Sequence, residues 1–129
     1  MCLSSVTTVH KKPVMRTFYK VFSVKRKKLF NLSYETGAVH FIGEKRTEAV
    51  KIKIGYGKVT YTSGVHGFAT KIGAEAWKNL KHMWSSPKRR VFKCRGLVRT
   101  EGYQWNMDKI RRYMVFVADT MEIISEVKP

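Results

Sequence analysis

Thr17-Phe18-Tyr19-Lys20-Val21-Phe22-Ser23-Val24, continued by Lys25-Arg26-Lys27-Lys28 and Leu29-Phe30-Asn31-Leu32-Ser33-Tyr34, decides the fold. Aromatic and β-branched residues fill the first eight positions. Tyr19, Val21 and Ser23 fall on one face of an extended chain, and Phe18, Lys20, Phe22 and Val24 on the other. Phe30, Leu32 and Tyr34 alternate in the same way, so the stretch predicts a β-hairpin whose tip carries four consecutive cations. Glu35-Thr36-Gly37 is the turn that leaves it.

Further along, Ala38 to Ile42 predicts a short strand. In Ala49-Val50-Lys51-Ile52-Lys53-Ile54 the apolar residues face one way and Lys51 and Lys53 the other, as in a sheet with one wet, basic face. Ser63-Gly64-Val65-His66-Gly67-Phe68 reads as a glycine-shaped connection. One helix follows, capped by Thr70, with Ile72, Ala76, Leu80 and Met83 at helical spacing beside Trp77 and Trp84, and ended by Ser85-Ser86-Pro87. Val91 to Val98 predicts a strand with Lys93 and Arg95 on one side; Met114 to Val117 and Met121 to Val127 predict two more, joined by a bend at Ala118-Asp119-Thr120. Residues 1–16 lack such periodicity and predict a flexible N-terminal arm, leaving 17–129 as a single α+β domain: a mainly antiparallel sheet with one principal helix packed on it.

The chain has 129 residues, 26 lysines and arginines against nine acids, and a formal net charge of +17. Self-repulsion on that scale opposes compaction, so it points to a polyanionic partner. At 43% apolar and 12% aromatic the chain is rich enough for a core, which sets it apart from charge-driven disorder. No apolar run approaches the roughly 18 residues of a membrane span. Residues 1–16 do not read as a signal peptide, and the expected location is the cytoplasm. Cys2 and Cys94 do not make a disulfide framework, and Cys94 in Val91-Phe92-Lys93-Cys94 reads as a small buried hydrophobe.

The cations come in groups. Lys25, Arg26, Lys27 and Lys28, then Lys88, Arg89 and Arg90, then Arg111 and Arg112 are the expected phosphate contacts, with Lys51 and Lys53 as a secondary strip. Most of the aromatics are expected in the core; Tyr34, Tyr56, Tyr103 and Trp105, expected at turns beside glycine or polar residues, are the better candidates for stacking on bases. His66 and Gly67 form a candidate anion pocket near the helix start, weighed against a turn in which His66 bonds to backbone; the second reading is favoured. The histidines and cysteines show no metal spacing, and neither a G-x-S-x-G elbow nor a three-glycine dinucleotide loop is present. No cofactor, metal or catalytic residue is expected.

Phe18-Tyr19-Lys20-Val21, Tyr61-x-x-Gly64-x-His66-Gly67-Phe68 with Ala74 and Trp77, Val91-Phe92-Lys93-Cys94, and Met121-x-Ile123-Ile124-x-Glu126-Val127 occur in that order. In this the chain resembles a broad group of small, mostly uncharacterised tailed-phage accessory proteins. The resemblance implies a phage or mobile-element origin and interference with host defence, and it carries over no catalytic residue. The expectation is a non-enzymatic basic protein that contacts nucleic acid, or a ribonucleoprotein or other nucleic-acid-containing host complex, through phosphates, plausibly as an anti-CRISPR or anti-restriction inhibitor. The alternatives are an inhibitor of an acidic host protein and a sequestering binder of a small anionic nucleotide.

Overall fold

The computed structural model describes residues 3–25, 28–31, 39–41, 47–48, 53–56, 59–62, 64–79, 89–105 and 111–128. In chain order the elements are β1 (Ser5–Lys25), β2 (Lys28–Asn31), β3 (Val39–Phe41), β4 (Thr47–Glu48), β5 (Lys53–Tyr56), β6 (Val59–Thr62), β7 (Val65–Phe68), α1 (Lys71–Lys78), β8 (Arg89–Trp105), β9 (Arg112–Ala118) and β10 (Thr120–Glu126). Among the described residues it is a largely antiparallel sheet with one short helix.

The hairpin expected from the opening stretch is present: Val24 pairs with Leu29 and Lys25 with Lys28. The other edge of β1 runs antiparallel to β8, from Ser23 opposite Arg89 to Ser5 opposite Tyr103. β8 in turn pairs with β10 through its first half and with β9 through its second. β7 pairs with β9 over four residues and reaches β1 at Tyr19 opposite Phe68. The pairings β1–β8–β9–β7–β1 therefore close a four-strand circuit, from which β2 and β3 extend on one side and β10 and β4 on the other. Closure needs strongly bent strands. Register shifts between Val9 and Val14 in β1, and between Val98 and Thr100 in β8, supply the bends.

Both faces of this sheet are apolar near its middle. One cluster joins Phe18, Phe22, Phe92, Cys94, Phe116 and Met121; the other joins Leu3, Val21, Phe68, Val91, Val115 and Val117. Consecutive pairs such as Val21-Phe22 and Val91-Phe92 are buried on opposite sides, which is why these segments read as continuous apolar runs. Lys20 lies with Phe18 and Phe22 as the alternation requires, and its buried Nζ donates to His66 O at 3.0 Å.

Three expectations are corrected. The expected loose arm is a strand over its described length from Ser5: Ser5 to Arg16 continue β1, pairing with β8 at Ser5, Val6, Thr8, Val9 and Val14 to Arg16. The polar Thr7, Thr8, Lys11 and Lys12 hide this: all four are exposed, and Thr7, Lys11 and Lys12 fall in the register shifts between the paired positions. Val65 to Phe68 is a buried strand and not a connection. Its glycine permits close approach: a Cβ at position 67 would lie 2.2 Å from Phe18 Cδ2. The helix is capped by Thr70, whose side chain accepts from Gly73 N. It turns Gly73 and Ala74 to the sheet with Trp77 half-buried, while Ile72 is 73% exposed. Small residues win the inner face because the helix packs closely on Phe68, with Tyr113 beside it. The expected continuation through Leu80 and Met83, and the strand positions 49–52, lie outside the described residues.

Candidate nucleic-acid interface

The β1–β8 register brings together two basic runs more than sixty positions apart in the chain. Phe30, Ser23 and Arg89 stand in one row across β2, β1 and β8, and Asn31, Phe22 and Arg90 in the next. Lys25 and Lys28 close the β1–β2 ladder two positions beyond. Lys25, Lys28, Arg89 and Arg90 thus share one end of the sheet, on strands about 4.8 Å apart. Arg26, Lys27, Lys51 and Lys88 lie outside the described residues. Lys53 begins β5, which with β6 forms a separate two-stranded sheet.

Arg111 and Arg112 do not join this group. Arg112 opposes Trp105, the far end of β8, sixteen positions from Arg89 and so roughly 50 Å along the strand path. Both arginines are exposed, and the Arg112 guanidinium carbon sits 4.5 Å from the centroid of the Tyr103 ring.

Acid pairing sharpens the picture. Arg90 binds Glu126 (3.0 Å), Arg95 binds Glu122 (2.9 Å), Arg99 binds Asp119 (2.7 Å), Lys78 binds Glu75 (3.0 Å), and His10 binds Glu101. Each of these carboxylates is engaged within the fold. Lys11, Lys12, Arg16, Lys93 and Arg112 are exposed, and no carboxylate among the described residues pairs with them. Arg16 escaped the sequence reading because it stood in the supposed arm. Its place opposite Gly96 in the β1–β8 ladder is a matter of register, which single-sequence patterning does not carry.

His66 lies inside the fold, at 1% exposure. Its Nδ1 is 3.1 Å from Gly64 O, a carbonyl that only accepts, so Nδ1 carries the proton. Nε2 then accepts from the Tyr61 hydroxyl at 2.8 Å, and that same oxygen accepts from Leu3 N at 2.9 Å. The imidazole is thereby a buried bracket between the N-terminal segment, β6 and β7. The candidate anion pocket at His66 and Gly67 is corrected accordingly: Gly67 abuts Phe18, and both ring nitrogens of His66 face protein.

Cys94 is fully buried, and burial pushes its thiol from 9.0 up to about 12, against a smaller opposing pull from Lys20. Among the described residues no three or more His, Cys, Asp or Glu side chains gather as a metal site, and no helix is long and apolar enough to cross a membrane. Comparison of the chain with protein-family models, with curated proteins and with solved structures finds no match in any of the three.

Proposed function

We propose that this protein is a non-enzymatic binder of nucleic acid, or of a nucleic-acid-containing complex, that engages phosphates through the end of the sheet where β1, β2 and β8 meet. The observation that carries this reading is the register that gathers Lys25, Lys28 and Arg89 at one end, beside an Arg90 that Glu126 holds. Phosphates lie at regular intervals along a strand, and cations grouped on one edge release several condensed counterions together. Among the described residues, Glu75, Glu101, Asp119, Glu122 and Glu126 are engaged within the fold and pair with none of the exposed cations Lys11, Lys12, Arg16 and Lys93 of this +17 chain, which supports a role for these in meeting outside anions. Among the described residues Cys94 is buried and protonated, His66 bonds Tyr61 and Gly64, and Asp119 holds Arg99, so these three do not assemble a nucleophilic site. The resemblance to tailed-phage accessory proteins makes obstruction of a host nucleic-acid-directed defence the setting we propose.

Fluorescence anisotropy with labelled oligonucleotides across a salt series tests it. The expected result is affinity that falls linearly in log–log form as salt rises. Affinity indifferent to salt, or capture of an acidic protein that persists after nuclease treatment while oligonucleotides fail to bind, overturns it.

A further inference from the structure

We propose that the Tyr103–Arg112 pair, at the end of the sheet away from the hairpin tip, is a stacking platform for an unpaired base, so that the ligand is single-stranded nucleic acid. This rests on the phosphate-binding reading and adds base contact to it.

The platform is built from backbone register. Tyr103 is held on both sides, by Ser5 of β1 and by Met114 of β9, and its carbonyl accepts from Ser4 N at 2.8 Å. Such a doubly paired position on a long strand is rigid, as a recognition surface requires. Arg112 stands diagonally across on β9, two positions from Met114, within reach of the ring. Its guanidinium carbon lies 4.5 Å from the ring centroid, a cation–π distance. The side chain is exposed, and no carboxylate among the described residues competes for it. Asp119, seven positions from Arg112, is held by Arg99, and Glu101, two positions from Tyr103, by His10. Arg111 adjoins it as a second exposed cation, and Trp105 is Arg112's register partner.

The ring holds the exposed guanidinium in place, and a guanidinium so held offers a base a plane to stack on. Bases stack on guanidinium planes and aromatic faces when their own faces are free, which is the state of single strands and loops. In a duplex those faces are covered by neighbouring base pairs.

The test compares oligo(dT) long enough to span both ends of β8 with a duplex of equal length, by anisotropy across a salt series, for the wild type and for Tyr103→Leu, Tyr103→Phe and Arg112→Lys, each confirmed folded by thermal melting. The wild type is expected to prefer the single strand. Tyr103→Leu removes the ring and Arg112→Lys keeps the charge without the plane. Each should weaken single-strand binding by about 5- to 100-fold, the size of one base stack, with duplex affinity and salt slope unchanged. Tyr103→Phe should retain wild-type affinity. Salt-dependent binding that Tyr103→Leu and Arg112→Lys leave intact, or weaken equally for both ligands, overturns the stacking proposal alone. A wild type that binds neither ligand overturns the phosphate reading beneath it.

Discussion

Adding one methyl group at Gly67 should loosen the closure of the sheet. The Cβ of an alanine there would lie 2.2 Å from Phe18 Cδ2, 2.9 Å from Cε2 and 3.0 Å from Cγ. Phe18 is fully buried, and the other edge of its ring lies close to Gly96 of β8. Overpacking of this kind costs about 1–3 kcal/mol. The narrower unfolded ensemble of alanine returns roughly 0.4–1 kcal/mol. The net loss for Gly67→Ala is about 1–2 kcal/mol, or a Tm fall of roughly 3–10 °C for a chain of this size. The assay is urea denaturation of Gly67→Ala, Phe18→Leu and the double variant. Because Leu lacks the ring edge that the methyl group meets, the cost of Gly67→Ala in the Phe18→Leu background should shrink by about 1 kcal/mol or more. A cost that is the same in both backgrounds, or absent in the wild type, refutes the close packing of β7 on β1 on which closure of the circuit depends.

Other substitutions probe the polar brackets and the thiol. Tyr61→Phe leaves His66 Nε2 and Leu3 N without the hydroxyl that serves both, so stability should drop by about 1–3 kcal/mol and the Leu3 amide should lose hydrogen-exchange protection. Asp119→Ala, which strips Arg99 of a two-oxygen partner at the β9–β10 bend, should cost about 1–3 kcal/mol. Glu126→Ala at the exposed Arg90 pair should cost under about 1 kcal/mol, and denaturation of both ranks them. Cys94 ionises near 9.0 when unfolded and near about 12 when folded, so above pH 9 the unfolded chain holds fewer protons and stability falls with pH. Relative to Cys94→Ala, the wild type should lose up to about 1.4 kcal/mol per pH unit in that window, measured by denaturant titration at each pH. In a Cys2→Ser background, folded protein should resist iodoacetamide at neutral pH and react once urea unfolds it, as mass spectrometry will read.

The sequence held the local part of this structure and lost the long-range part. The hairpin from Thr17 onward was legible because its alternation and cationic tip are both local signals. Thr70 was legible as a cap because it precedes helix-forming residues at the right spacing. The inner face of α1 was not: hydrophobicity favours Ile72, whereas close packing selects Gly73 and Ala74. Glycines misled in β7, where Gly64 and Gly67 mark close approach of Ala118 O and the Phe18 ring and not a turn. Ser5 to Arg16 were misread because their strand is held by β8, whose partner residues lie some ninety positions away. A separation of more than sixty positions likewise hid the meeting of the hairpin tip with Arg89 and Arg90, and the β8–β9 register hid the contact of Arg112 with Tyr103.

The most direct measurement is the salt slope of oligonucleotide binding when the gathered charges are removed. Lys25, Arg26, Lys27 and Lys28 are changed to glutamine in one variant, Lys88 and Arg89 in a second, and all six in a third. Arg90 is left in place because Glu126 already holds it. Every phosphate that no longer meets a cation should reduce the slope of log K against log salt by about 0.9 on duplex and about 0.7 on single strands, with the third variant the shallowest. Slopes that stay at the wild-type value in all three variants contradict phosphate binding at this end of the sheet.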